Sequence, residues 1–137
     1  MELWDAYDRE LNKLGVTLVR GEEVPDGMYH LVSEVIVKHT DGEFLLMQRA
    51  PTKHFGGMWE ATAGGSALCG ESPLDCARRE LLEETGLSGE LPVSARLCTT
   101  GTGAFMPNSC VLPITIRIPY GSRRARRRHL NGSALRN

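Results

Sequence analysis

The sequence predicts a mixed α/β domain. Strand-like runs lie between about residues 31 and 63, one strongly capped helix begins at Ser72, and strand-like runs follow it again. At 137 residues the chain can build one modest hydrophobic core but not two. Hydrophobic residues make up 41% and charged residues 24%, a balance that fits a folded, water-soluble domain and argues against disorder over most of the length.

Taken in order, Leu3 to Leu11 fits either an amphipathic helix or a strand in which Trp4, Ala6 and Asp8 oppose Leu3, Asp5 and Tyr7. Periodicity alone leaves both open. Residues 31 to 49 read as a hairpin: Leu31 to Lys38 and Glu43 to Gln48 are rich in Val, Ile, Leu and Phe, and Asp41-Gly42 supplies the turn. Pro51, Gly56 and Gly57 mark a loop over 50 to 57, leading to a short strand at Met58 to Ala63 that ends at Gly64-Gly65. Ser72 is a helix N-cap, Pro73 occupies the first helical position, where its missing N–H costs nothing, and Asp75 lies in the first turn. Gly86 stops the helix, and Leu74, Ala77 and Leu81 form its buried stripe. Ser94 to Thr100 and Ser109 to Ile118 are two further strands, with Pro113 pushing the second towards an edge or a bulge.

Charge is unevenly divided. Residues 1 to 90 carry 17 acidic and 8 basic side chains, while residues 91 to 137 carry 8 basic and no acidic ones. From Gly121 onward, five arginines between Arg123 and Arg128 accompany almost nothing apolar, so 121 to 137 is expected to be a basic, disordered tail on a domain spanning 1 to 120. No apolar run approaches the ~20 residues a bilayer span needs, and the start lacks the layout of a signal peptide. The four cysteines, Cys69, Cys76, Cys98 and Cys110, form no C-x-x-C pair, so free thiols and a cytoplasmic setting are expected, with no membrane partner.

Three carboxylates carry the chemistry. Glu80, Glu83 and Glu84 stand at i, i+3 and i+4 of the predicted helix and share one face beside its buried stripe. A solvated charged face is the bland reading, but that face would then hold several compensating bases, and it offers mainly Arg79. Concentrated carboxylate oxygens suit a hard cation such as Mg²⁺, which keeps waters and substrate phosphate oxygens in its shell. Glycine at 64 and 65 permits the close approach of backbone that such a site needs.

From Gly65 to Leu87 the chain resembles the Nudix box, G-x5-E-x7-R-E-U-x-E-E-x-G-U with U apolar. Gly65, Glu71, Arg79, Glu80, Leu81, Glu83, Glu84, Gly86 and Leu87 meet all nine fixed positions. The resemblance extends through Gln48-Arg49, Trp59 and Tyr29-His30-Leu31-Val32 to a branch that is also similar to isopentenyl diphosphate isomerase, and covers roughly residues 1 to 116. It implies an α/β/α sandwich around a mixed β-sheet, with Leu3 to Asp8 in a leading strand. It also implies that Glu83 and Glu84 ligate Mg²⁺, or Mn²⁺ as a substitute, aided by Glu80 and the Gly65 carbonyl. Arg79 would hold a glutamate in place, and Glu71 would support the loop or reach a second metal. Water would attack one phosphorus of a small organic diphosphate, with Glu80 as the first choice of base. Arg49 is a candidate phosphate grip, with an ordinary surface arginine as the equal alternative. Cys69, with no basic partner evident, reads as a small loop residue without a catalytic role.

Two departures shape the alternatives. The isomerases place a catalytic cysteine and histidine ligands around the strand that here reads Trp59 to Gly64, where neither residue type occurs, so isomerase-like chemistry is the weaker alternative. No acidic residue follows Glu90, and the terminal helix of the family is expected to be missing from a truncated or altered end. A catalytically impaired Nudix-fold protein that binds nucleotide or RNA is therefore a further reading. The arginine run has no interleaved aromatics for stacking, which favours nonspecific attraction of polynucleotide over a dedicated site. The sheet face left uncovered predicts self-association into a homodimer.

Overall fold

Helix α1 (Pro73–Thr85) forms where the sequence sets both of its ends. Ser72 has extended backbone angles and its side chain accepts from the Asp75 N–H, Pro73 opens the first turn, and Gly86 closes the helix in the left-handed region at φ 69°. The structure, a computed structural model, describes residues 1–53, 55–89, 91, 99–101 and 109–118. In the last two segments side chains are described only at Ser109, Ile114 and Thr115. The tail expected over 121 to 137, Glu90, the first part of the strand expected from Ser94, and the side chains of Cys98 and Cys110 lie outside the described residues.

Among the described residues eight strands accompany this helix: β1 (Leu3–Tyr7), β2 (Lys13–Val19), β3 (His30–His39), β4 (Met47–Gln48), β5 (Trp59–Glu60), β6 (Thr62–Ser66), β7 (Thr99–Gly101) and β8 (Ser109–Ile118). Four of them form a mixed sheet in the order β6-β3-β8-β7, in which β3 runs parallel to β8 and antiparallel to β6. The amino-terminal segment is a strand, paired with β2 and linked to the start of β3 through the Tyr7–Tyr29 bridge. The sequence reading did not anticipate β2, although Leu14, Val16 and Leu18 alternate along it with Lys13, Gly15 and Thr17.

The expected hairpin is real at its turn and short in its second arm. His39 donates to the Glu43 carbonyl at 2.7 Å and Phe44 bridges Lys38, but the chain then leaves β3, and Met47–Gln48 pairs with β5 instead. The strand expected to end at Gly64-Gly65 needs correction. It divides at Ala61, and β6 continues through both glycines to Ser66, with Gly64 opposite Glu34 and Gly65 opposite Ser33. The glycines answer a lack of room rather than a turn. A Cβ at Gly64 would lie 2.3 Å from the Ser33 carbonyl oxygen, and one at Gly65 would lie 2.3 Å from the Glu80 carboxylate. Pro113 sits in β8 beyond Val111, where β7 no longer accompanies the strand. Among the described residues it therefore has a sheet neighbour on one side only, as a residue without an N–H requires.

Helix α1 packs on one face of the sheet. Ala77 and Leu81 meet Val35, Val37 and Ile114 in the main core, with Leu74 partly buried against it. Burying a side chain the size of Leu81 contributes roughly 1.5–3 kcal/mol. Beside this core, Trp4, Ala6 and Leu18 close the β1–β2 ribbon. The sandwich expected from the resemblance is thus present as a mixed sheet with one helix among the described residues. None of their helices is long and apolar enough to cross a membrane.

Candidate functional site

Arg79, Glu80 and Glu84 on α1 reach β6, an edge strand of its sheet among the described residues. Arg79 is the hub. Its Nε and Nη2 donate to the two oxygens of Glu71, each at 2.9 Å, while Nη1 donates to Glu80 at 2.6 Å and Nη2 also reaches the Ser66 carbonyl at 3.1 Å. Glu71 in turn accepts from the Leu68 N–H at 2.9 Å, so one carboxylate ties the Gly65-to-Glu71 loop both to itself and to the helix. Bidentate pairing of this kind fixes direction as well as distance. It holds the Glu71 carboxyl below the usual carboxylate range, chiefly through the bond from Arg79.

Glu80 and Glu84 stand in a different environment. The Glu80 carboxylate fills the space a Gly65 side chain would take, and burial pushes its carboxyl up despite Arg79 alongside. Glu84 accepts from the Gly64 N–H at 3.1 Å, and burial raises its carboxyl too. Glu83 is 57% exposed and lies 3.6 Å from Arg79. The Gly65 carbonyl accepts from the Cys76 thiol at 3.4 Å, and burial pushes that thiol up to about 11. Cys69 and Cys76 are free thiols.

Arg49 is not among the groups that α1 brings together. It forms an ion pair with Glu60 across the β4–β5 hairpin. Three residues that the sequence reading did not select do approach the carboxylates. Lys53 lies 3.7 Å from Glu84, and Glu60 adds negative charge near both Glu84 and Glu34. Glu34, half-buried opposite Gly64, has its carboxyl raised first by burial and then by Glu60. An acidic residue interrupting the apolar run Leu31 to Val37 was the signal available for Glu34; Lys53 and Glu60 carried none, because the fold alone brings them near.

The donor set suits a hard divalent cation. Among the described residues no three acidic, histidine or cysteine side chains already converge into a cage for an ion. Arg79 lies against Glu80 and Glu83, and Lys53 against Glu84. Two burial-raised carboxylates and an exposed third, adjoining a strand rim of glycine backbone, are nevertheless the oxygen chemistry that Mg²⁺ takes.

Comparison with known proteins places this geometry. Residues 28–107 match the NUDIX domain. An uncharacterised Nudix hydrolase of Listeria monocytogenes is 36% identical over 92 residues, which cover 66% of this chain and 54% of that protein. An isopentenyl-diphosphate Delta-isomerase of Serratia proteamaculans is 36% identical over 90 residues, covering 65% of this chain and 48% of the isomerase. The chain thus spans about half the length of the curated relatives it matches. A crystal structure from Deinococcus radiodurans shares the fold with a TM-score of 0.67, at 18% identity over 87% of this chain and 74% of that one. With the domain match spanning more than half of its residues, and the nine-position motif folded into an arginine-centred loop and helix, this chain belongs to the Nudix family.

Proposed function

We propose that the chain is a divalent-cation-dependent hydrolase that cleaves a diphosphate linkage in a nucleoside diphosphate derivative or a similar small organic diphosphate. The observation that carries this reading is the packing of Glu80 against Gly65 and of Glu84 on the Gly64 N–H, both with burial-raised carboxyls, with Glu83 exposed beside Arg79 on the same helix. Glu83 and Glu84 are the ligands, assisted by Glu80 and the Gly65 carbonyl. Arg79, locked to Glu71, orients Glu80. Mg²⁺, with Mn²⁺ as a substitute, would supply neutralisation of charge on the phosphate oxygens. Glu80 accepts the proton of the attacking water. Lys53 stands beside Glu84 and is available to pair with a substrate phosphate once an ion takes that carboxylate. Arg49 serves as a second phosphate contact only by leaving Glu60. The free thiols Cys69 and Cys76 accord with a reducing compartment, and on that ground we place the protein in the cytoplasm.

Glu80→Gln and Glu83→Gln are each expected to lower Mg²⁺-dependent diphosphate cleavage, by ~10²–10⁴-fold for whichever residue is the base. Unchanged rates in both variants would sink this mechanism. A panel of nucleoside diphosphate derivatives, dinucleotides, coenzyme diphosphates and isopentenyl diphosphate, each with and without Mg²⁺, identifies the organic portion. The likeness to the Serratia isomerase supports a second reading, in which isopentenyl diphosphate undergoes a double-bond shift without release of phosphate. Residues 59 to 64 offer neither cysteine nor histidine for that step, so phosphate release is the expected outcome.

A further inference from the structure

Strand β1 lies outside the family motif, yet it reaches the box loop. Trp4 and Ala6 are buried with Leu18, so strand alternation turns Asp5 to the opposite side of the ribbon. There its Oδ2 accepts from the Gly70 N–H at 2.9 Å and from Lys13 Nζ at 2.7 Å, while its Oδ1 accepts from the Cys69 thiol at 3.3 Å. The Cys69 N–H donates to the Leu3 carbonyl at 2.8 Å, so two consecutive loop residues are tied to one strand more than sixty positions away.

The loop between them is a tight turn. Glu71 N–H donates to the Leu68 carbonyl at 2.9 Å, and Gly70 takes the left-handed conformation at φ 82°. Rotation of the Gly70 peptide would therefore move Glu71, its immediate neighbour. Glu71 accepts two bonds from Arg79, and Arg79 donates to Glu80. The loop is gripped on its inner side by Arg79 and on its outer side by Asp5, and no other side chain is seen to hold the Gly70 N–H among the described residues.

We propose that Asp5 is a positioning residue for the carboxylate site: from the amino-terminal ribbon it fixes the Gly70 peptide, so that Glu71 keeps Arg79, and through it Glu80, in place. Lys13 neutralises the Asp5 carboxylate, and among the described residues its hydrogen bond goes to Asp5 while the bonds to the loop come from Asp5 itself. The inference rests on the proposed metal site for its consequence, though not for its geometry. Partners one step removed from metal ligands change metal affinity by about 10–100-fold when lost. Asp5, two residues further out than Glu71, is expected at the lower end of that range.

Hydrogen exchange of the Arg79 Nε–H and the Leu68 N–H, measured by NMR on the full chain without metal, reads the geometry directly. Asp5→Ala is expected to speed both by about tenfold, a change of about 1.4 kcal/mol in protection, at a temperature where the protein stays folded. Asp5→Asn, which keeps one acceptor oxygen for Gly70, is expected to restore most of the protection, and Lys13→Met to leave it as in the wild type. Should Asp5→Ala prove too unstable, Asp5→Ser, too short to span both donors, gives the same reading. Equal exchange in Asp5→Ala or Asp5→Ser and the wild type overturns the proposal. So does an equal rise in Lys13→Met, because the ion pair would then be fastening the ribbon and nothing more. Binding of Mn²⁺ without substrate, followed by EPR, separates the two levels. Failure of the wild type to bind counts against the metal site alone, whereas binding that Asp5→Ala weakens about tenfold and Lys13→Met does not supports both.

Discussion

Gly64 and Gly65 are neighbours in β6, yet each excludes a side chain for its own reason. At Gly64 the obstacle is the Ser33 backbone, which cannot move without shifting β3; at Gly65 it is the flexible end of Glu80. Gly64→Ala is therefore expected to destabilise the fold by about 1–3 kcal/mol in urea denaturation. Gly65→Ala should leave the midpoint near that of the wild type while displacing the Glu80 carboxylate and lowering Mg²⁺-dependent cleavage by at least about tenfold. Equal effects of the two substitutions on stability would show that Glu80 is not free to move. At this scale the sequence was unusually readable where residue spacing sets proximity. Glu80, Glu83 and Glu84 share a helix face by geometry alone, whereas the sequence named no partner for Arg79 beyond some glutamate, and the structure supplies Glu71. Lys53 and Glu60 reach Glu84 only through the path of the β4–β5 hairpin, which no local pattern encodes.

Among the elements, α1 was the most legible because both of its ends are written in side chains with a single local task. Ser72 accepts from the Asp75 N–H at 3.2 Å, and Gly86 adopts a conformation costly to other residues. Ser72→Ala is expected to cost about 1 kcal/mol, seen as a lower urea midpoint with an unchanged slope. No loss would mean that Pro73 and the tertiary contacts alone hold the first turn. Strands were harder to read, since their pairing is decided at a distance. β6 runs through two glycines that look like a terminus, because β3 and Glu80 lie so close that only hydrogen atoms fit. β2 escaped notice because most of it is exposed and Gly15 breaks its pattern, although Leu18 alone in its outer half is buried against Trp4 and Ala6.

For the molecule as a whole, pH reports on how the ribbon joins the sheet. His30 is buried, stacked on Trp4 at 4.2 Å, with no hydrogen-bond partner for its Nδ1 among the described residues. Burial lowers its pKa from 6.5, so the unfolded chain takes up the proton first, and its contribution to stability is full above that value and lost as pH falls towards the folded one. The raised carboxyls of Glu34, Glu80 and Glu84 act in the opposite sense, gaining stability as pH falls through their range. Comparison with His30→Phe, which keeps a ring against Trp4, isolates the imidazole: between pH 7 and pH 5 the wild type should lose more stability than the variant. Parallel curves would remove His30 from the account. Self-association is proposed on a different ground, the half-exposed Phe44, Leu46, Phe55, Met58 and Trp59 within residues 44 to 59. Sedimentation at high micromolar concentration is expected to show a dimer, and a persistent monomer there would refute it. The Glu84 carboxylate that accepts from the Gly64 N–H also stands on an open rim, because β6 is the last strand in its sheet among the described residues. A negatively charged guard on such a rim discourages recruitment of a foreign strand, and any ligand that draws Glu84 away lifts that guard.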